Sequence, residues 1–211
     1  MAASEKRGRG RPAGSRVDPT ERRAALLDAA ERVIRANGPA VGLAEIAAEA
    51  GFVRSAVYAM YPQRSALIEA LGRRTAGRLL AEITRRAAGS VDLRQRMALF
   101  FDVIVGWIAD EPNLHSALSA DRGGGVFEDL AASVELLLVS AMRPEDPRVV
   151  AAAPWSRAIV GSAVTTAEWW CRSGTMTRAE LVEHLTGLCW DGGAAMPFGS
   201  EQIERIDNRA P

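Results

Sequence analysis

The chain has 211 residues, of which 48% are hydrophobic and 25% charged, a composition typical of a globular protein with one or two modest domains. No apolar run reaches the roughly 18 residues that a membrane-spanning helix needs, and the Arg-rich start lacks the apolar stretch of a secretory signal. We therefore expect a cytoplasmic protein without a membrane partner. The two cysteines, Cys171 and Cys189, have neither a disulfide framework nor zinc-ligand spacing, and neither a metal site nor a cofactor is expected.

The formal net charge of zero conceals an uneven distribution along the chain. Residues 1–80 carry 14 Lys and Arg against 8 Asp and Glu, whereas the remainder carries 12 against 18. The basic segment KRGRGRPAGSR, at residues 6–16, lies just ahead of the first predicted helix. This asymmetry predicts that one end of the molecule contacts a polyanion, the alternative being a chance distribution over helix surfaces.

Helical periodicity recurs along the chain and strand alternation does not, which predicts an all-α protein of about nine helices. The first helix lies in DPTERRAALLDAAERVIRANG, where Asp18 can cap it and Pro19 suits its first position. Asn37 and Gly38 supply its end.

The next stretch, GLAEIAAEAGFVRSAVYAMYPQRSALIEAL, predicts two short helices separated by a tight turn at Gly51. Gly42 can cap the first, the second covers about residues 54 to 61, and Pro62 forces a break before another helix. This layout predicts a helix-turn-helix, whose second helix can enter the DNA major groove. An ordinary helical corner is the alternative.

The rest of the chain predicts a larger helical domain. The segment at residues 155–171 has only Arg157 and Glu168 as charged residues, so a helix there needs burial on more than one face. Residues TRAE, at 177–180, form a capping box for a last helix. We expect these two helices to pack against their copies in a second subunit, and internal burial is the alternative.

These motifs together resemble the TetR/AcrR family of transcriptional regulators. The diagnostic residues are LLDAAERVIRANG and IAAEAGFVRSAVYAMYPQRSAL, within about a quarter of the chain, whereas WWCRSGTMTRAELVEHL is similar to the last two helices of the family only in layout. The resemblance implies a homodimeric repressor that binds an imperfect palindromic operator in double-stranded DNA and is released by a small-molecule effector of unknown identity. The implied location is the cytoplasm, on the nucleoid when DNA is bound.

The expected organisation has four parts. They are a flexible basic arm (1–17), a three-helix helix-turn-helix domain (18–66), an effector-binding and dimerisation domain (67–195) and a frayed tail (196–211).

The resemblance also implies DNA-contacting residues. The phosphate-contacting positions of the family fall on Tyr58 and Arg64, and both side chains can bond a phosphate oxygen. Arg54 is the strongest candidate for base recognition, because Arg can pair with guanine through two hydrogen bonds. The base-reading positions are Arg54, Ser55, Ala56 and Ala59.

Two positions depart from the family pattern. Gly42 replaces a capping Thr that often touches phosphate, and Val53 replaces a capping Ser, so positioning contacts are expected to be weaker here. The basic arm is a candidate substitute, because RGRP at residues 9–12 resembles the core of an AT-hook, whose arginines lie in the narrow minor groove of A·T-rich DNA. The candidate arm contacts are Arg7, Arg9 and Arg11.

The ligand cavity of the family lies inside the C-terminal helical bundle. The aromatic and apolar residues at the corresponding positions favour an apolar or aromatic effector, although each could be plain core. His115 is the candidate polar contact. The expected lining residues are Met97, Phe101, Ile104, Trp107, His115, Phe127, Trp155 and Trp169.

The resemblance further places a subunit interface on the last two helices, with expected contacts at Val160, Val164, Trp170, Leu181, Leu185 and Leu188. One alternative is a thiol-redox regulator in which Cys171 and Cys189 face each other from adjacent helices, and another is a helical adaptor that does not bind DNA. An enzyme is not expected, because Gly-x-Ser-x-Gly, His-Glu-x-x-His and P-loop patterns are absent from the sequence.

Overall fold

The computed structural model describes residues 18–90, 92–120, 125–143 and 145–192, and every regular element in these ranges is a helix. The predicted all-α fold is therefore confirmed. The predicted basic arm and frayed tail lie outside the described residues. None of the described helices is both long and apolar enough to cross a bilayer. The α-helices are α1 (Pro19–Asn37), α2 (Leu43–Ala50), α3 (Arg54–Met60), α4 (Arg64–Ala87), α5 (Leu93–Asp110), α6 (Pro112–Ser119), α7 (Val126–Ala141), α8 (Ala152–Ser173) and α9 (Arg178–Asp191), with a 3₁₀ helix (Pro147–Ala151) before α8.

Local sequence chemistry determines where the first and last helices begin. The Asp18 carboxylate accepts a hydrogen bond from the Thr20 N–H at 3.0 Å, at the N-terminus of α1. The Thr177 hydroxyl accepts one from the Glu180 N–H at 3.3 Å, and the Glu180 carboxylate accepts one from the Thr177 N–H at 2.7 Å. This is the predicted capping box of α9. Helix α1 ends at Gly38, whose φ of +92° suits glycine.

The buried apolar side chains form two clusters. The N-terminal cluster consists mainly of residues from α1, α2, α3, the first half of α4, and α6, and the C-terminal cluster of residues from the second half of α4 with α5, α7, α8 and α9. Helix α4 belongs to both, because Leu71 is buried in the N-terminal cluster and Ile83 in the C-terminal one. Helix α6 follows α5 in sequence, but its residues Leu114, Ala117 and Leu118 belong to the N-terminal cluster, where α6 packs against α1 and α4.

An ion-pair network around Glu31 also joins these helices. The Glu31 carboxylate of α1, whose side chain is 6% exposed, accepts hydrogen bonds from Arg74 and Arg78 of α4. Arg35 lies 3.4 Å from Glu31 and donates at 2.8 Å to Glu111, the residue before α6. Burial raises the pKa of Glu31, but the hydrogen bonds from Arg74 and Arg78 outweigh it and hold this pKa below its ordinary value.

Candidate nucleic-acid interface and ligand cleft

Helices α2 and α3 form the predicted helix-turn-helix. Gly51 adopts the left-handed conformation, with φ of +69°, and donates a hydrogen bond to the Ala48 carbonyl at 3.1 Å. The next N–H, of Phe52, bonds the Ala47 carbonyl at 2.9 Å. The turn therefore satisfies the last carbonyls of α2 while it redirects the chain into α3. Ala47 and Val57 are buried together in the N-terminal cluster, which fixes α3 against α2.

Helix α3 presents one face to solvent. Its inner side is anchored by Val57, which is fully buried, and by Tyr61 just beyond its end. Tyr58 lies on the other side, with 50% of its surface exposed. Four of the five predicted DNA-contacting residues on α3 share this solvent-facing side, whereas Ala56 is partly buried towards the inner side. The four exposed residues are Arg54, Ser55, Tyr58 and Ala59.

Arg64 has a structural role that the sequence did not indicate. Its Nε donates to the Val41 carbonyl at 2.8 Å and its Nη2 donates to the Pro39 carbonyl, so that it holds the loop between α1 and α2. In the described part of the chain, these two bonds leave Nη1 and the second N–H of Nη2 for a phosphate. Gly42 begins α2 without a side-chain cap, and its N–H donates to the Glu45 carboxylate at 3.3 Å.

The remaining predicted DNA contacts, Arg7, Arg9 and Arg11, lie outside the described residues.

The eight predicted ligand-lining residues do not line one cavity. Phe101 and Ile104 are fully buried within the C-terminal cluster, and Met97 packs against it. The exposed fractions of Trp155 and Trp169 are 43% and 44%, so these two side chains lie at the surface of the bundle in this structure. The inward side of α8 is instead occupied by smaller residues: Ala152, Ser156, Val160, Ala163 and Ala167.

Trp107, Phe127 and His115 pack together at the junction of the two clusters. Their rings meet edge to face, with centroids 5.5 to 6.3 Å apart. Such pairs stabilise by about 0.5–1.5 kcal/mol beyond the area they bury. The three rings therefore behave as packed core in this structure.

A cleft of about 670 Å³ opens beside this aromatic group, between the end of α5, α6 and the end of α8. His115 is the one predicted ligand residue in its wall. The His115 Nε2 lies 2.9 Å from a Glu168 carboxylate oxygen, and its Nδ1 lies 3.3 Å from the Ser119 hydroxyl. A neutral imidazole that donates to Glu168 and accepts from Ser119 satisfies all three groups. The cleft is lined by Ile108, Ala109, Pro112, His115, Ser116, Ser119, Ala120, Glu168, Cys171 and Arg172.

Most of these cleft residues were not predicted as site residues. One sequence signal for the cleft was available: the spacing of His115, Ser116 and Ser119 places polar groups on one side of α6. The sequence does not show that α8 lies opposite, because that depends on how the helices pack. No group of three or more metal-binding side chains occurs in the described parts of the chain.

The predicted subunit contacts differ in how exposed they are on their own chain. Val160, Leu181 and Leu185 are nearly fully buried in the C-terminal cluster of their own chain and have little surface left for a partner. Val164 and Trp170 pack against the same cluster, whereas Leu188 is 42% exposed. The side of α8 that faces away from the core, which we term the α8 outer face, carries Trp155, Ala158, Gly161, Thr165 and Trp169, with the exposed Arg172 at its C-terminal end.

The two cysteines do not face each other. The Cys189 Sγ lies 3.7 Å from the Ser162 Oγ. Cys171 follows Ser162 by nine residues of α8, which places it about 13 Å further along the axis and on the opposite side of the helix. A disulfide requires Cα atoms within about 7 Å. Burial also raises the pKa of the Cys171 thiol and so disfavours its reactive thiolate form.

Comparisons with known proteins agree with this architecture. Residues 26–71 match the profile of bacterial regulatory proteins of the tetR family, and residues 125–201 match that of the tetracyclin repressor-like C-terminal domain. The HTH-type transcriptional repressor LfrR of Mycolicibacterium smegmatis is 30% identical over 180 residues, which cover 83% of this chain and 92% of LfrR.

A second relative matches over a shorter stretch. An uncharacterized HTH-type transcriptional regulator of Mycobacterium tuberculosis is 30% identical over 131 residues, or 59% of this chain, and the chain spans 65% of that protein's length. Among solved structures, the fold is similar to Thermus thermophilus FadR in complex with lauroyl-CoA. The TM-score is 0.58 at 22% identity, over 84% of this chain and 100% of that one.

Proposed function

The chain belongs to the TetR family of bacterial regulatory proteins, and from this premise we propose that it is a homodimeric transcriptional repressor. It binds an imperfect palindromic operator and is released by a small ligand. The observation that carries the proposal is the amphipathic character of α3, which buries Val57 and exposes Arg54 and Tyr58 on its other side. A helix held in this way can lie in the major groove with its outer face against the bases.

The exposed side chains of α3 suit two kinds of DNA contact. The Tyr58 hydroxyl can donate to a phosphate oxygen, which positions the protein without reading sequence. The Arg54 guanidinium can form two hydrogen bonds with guanine, a contact that discriminates against other bases by about 1–3 kcal/mol. Ala59 presents only a methyl group, which suits contact with a thymine methyl.

The proposed dimer uses the α8 outer face. Trp155 and Trp169 stand about four turns apart on this surface, and Gly161 between them allows close approach of a second helix. Leu188 and Trp190 extend the exposed apolar surface onto α9. A two-fold dimer presents two copies of α3, which matches a palindrome with half-sites about one helical turn apart.

The test is selection of bound sites from random duplex DNA, followed by affinity measurements on the selected operator. The expected product is an imperfect palindrome. Arg54→Ala should weaken binding by about 10- to 100-fold and relax specificity at one position in each half-site. Arg85→Ala is the matched control, because Arg85 is exposed at the far end of α4, paired with Glu82, and should leave binding unchanged.

Two outcomes would count against the proposal. One is the absence of any enriched sequence, and the other is an equal loss of affinity in the Arg54 and Arg85 variants.

A further inference from the structure

The cleft between α6 and α8 has the size of a small-molecule site. Its volume of about 670 Å³ lies within the range of about 300–1,000 Å³ that such sites occupy. The interior positions first expected to form a pocket are closed in this structure, because Phe101 and Ile104 are fully buried by their neighbours. The cleft is therefore the candidate site that a ligand can enter without repacking the core.

Helix α6 connects this cleft to the DNA-binding helices. Its apolar side lies in the N-terminal cluster, and its polar side forms a wall of the cleft. The Asn113 side chain also donates to the Arg35 carbonyl in the last turn of α1 at 2.9 Å, and the Arg35 guanidinium bonds Glu111. A ligand that displaces α6 therefore acts directly on the core that holds α3.

The charges in the cleft are arranged in a complementary way. Glu168 and Arg172 lie one turn apart on α8, in the order that normally favours an ion pair within a helix. They do not form this pair, because Glu168 bonds His115 and no ion pair or hydrogen bond of Arg172 occurs among the described residues. The cleft wall therefore holds one carboxylate, which is hydrogen-bonded to His115, and the guanidinium of Arg172.

From this geometry, and on the basis of the function proposed above, we infer that the cleft binds a small zwitterion with an aliphatic side chain, of the chemical class of an apolar amino acid. Its ammonium group pairs with Glu168, and its carboxylate accepts two hydrogen bonds from Arg172. The side chain lies against Ala109 and Pro112. A ligand with only a negative charge would be repelled by the Glu168 carboxylate, and a ligand with only a positive charge would be repelled by the Arg172 guanidinium.

Three probes separate these cases. Leucine is the zwitterion, leucinamide keeps only the positive charge, and 4-methylpentanoate keeps only the negative charge. Because Cys171 is an exposed thiol in the cleft wall, its rate of reaction with a thiol reagent reports occupancy without DNA. The experiment uses the full-length Cys189→Ala variant, so that Cys171 is the single thiol.

The expected result is that leucine slows Cys171 labelling severalfold at saturation. Leucinamide and 4-methylpentanoate should bind at least about tenfold more weakly, as each lacks one ion pair. Glu168→Gln and Arg172→Gln should each lose about tenfold in leucine affinity, whereas Glu183→Gln, on the exposed side of α9, should lose none. Leucine should also weaken operator binding by the protein with intact Glu168 and Arg172.

Equal protection by all three probes, or no protection by leucine at about 10 mM, overturns the inference. So does leucine binding that leaves operator affinity unchanged, because the cleft would then not be the effector site. The labelling measurement needs no operator, and a protein that binds leucine but no duplex would contradict the proposed function instead. Titration calorimetry with each probe gives an independent measure of binding.

Discussion

Replacement of Glu31 by Gln is the sharpest test of how α1 and α4 are held together. The substitution keeps the shape of a buried side chain but removes its negative charge. It also places an amide NH₂ against guanidinium groups that can only donate. Arg74, Arg78 and the nearby Arg35 then share one acceptor oxygen instead of two and no longer face a negative charge.

The size of the effect depends on where the three guanidinium groups lie. Loss of one partner from a fully buried ion pair costs about 3–5 kcal/mol, because the other charge stays in a low-dielectric site. Here the side chains of Arg35 and Arg78 are 43% and 54% exposed, so water can solvate them, and Arg74 keeps its bond to Asp28. We therefore expect a loss of about 2–3 kcal/mol, near that of one or two hydrogen bonds to a charged group.

Thermal unfolding at fixed protein concentration measures this loss. For a chain of this length, about 2–3 kcal/mol lowers Tm by about 5–10 °C at pH 7. The pKa of Glu31 is held below its ordinary value, so its stabilising effect is present above the unfolded pKa near about 4.3 and is lost as the pH falls through the folded pKa. The difference between the wild type and Glu31→Gln should therefore shrink as the pH falls below about 4.

Glu69→Gln is the matched control. Glu69 pairs with Arg73 on the same helix, and both side chains are more than half exposed, so its loss should cost less than about 0.5 kcal/mol. If Glu31→Gln is no more destabilising than this control at pH 7, the network around Glu31 contributes no net stability. A difference that stays constant down to acid pH would refute the proposed electrostatic origin.

Three further predictions concern the turn, the dimer and the basic arm. Gly51→Ala should lower the free energy of unfolding by about 1–2 kcal/mol, because the φ of Gly51 is +69°. Gly77→Ala, on the exposed side of α4, should instead raise it by about 0.5–1 kcal/mol. Equal effects of the two substitutions would refute the argument from the turn. Trp169→Glu should shift the protein to monomers in light scattering, whereas Leu93→Glu, at another exposed apolar site, should not. Joint replacement of the three arm arginines by Ala should weaken operator binding and reduce the slope of log K against log[salt] by about 2–3 units. An unchanged slope would show that the arm does not contact the operator. The arm residues are Arg7, Arg9 and Arg11.

The local elements of this fold were predictable because their signals are local. Asp18 with Pro19, and Thr177 with Glu180, mark helix starts through bonds to backbone groups within one turn. Gly51 marks the turn, since it adopts a backbone conformation that other residues rarely tolerate. The exposed side of α3 followed from the 3.6-residue period once its buried residues were known.

The burial of several residues predicted for the interface and the pocket has a shared physical reason. Helical periodicity identifies an apolar side of a helix but not what covers it. Val160 and Leu185 follow such a stripe and are buried in their own subunit, whereas Trp155 and Trp169 lie on the other side of α8. For the same reason, aromatic residues predicted to surround a ligand instead pack against each other. The cleft was missed because Glu168 and His115 are 53 residues apart in sequence.

The ion pairs around Glu31 stabilise the fold and also connect the helices that would transmit the proposed ligand signal to the DNA-binding helices. Helix α4 has 24 residues, a length of about 36 Å, and it runs through both apolar clusters. In a dimer, a tilt of α4 or a shift of α6 changes the separation of the two α3 helices when α1 and the helix-turn-helix move with it. The Glu31 and Arg35 ion pairs supply this connection to α4 and to the start of α6. If the connection transmits the ligand signal, Glu31→Gln should reduce the effect of leucine on operator affinity while leaving leucine protection of Cys171 intact.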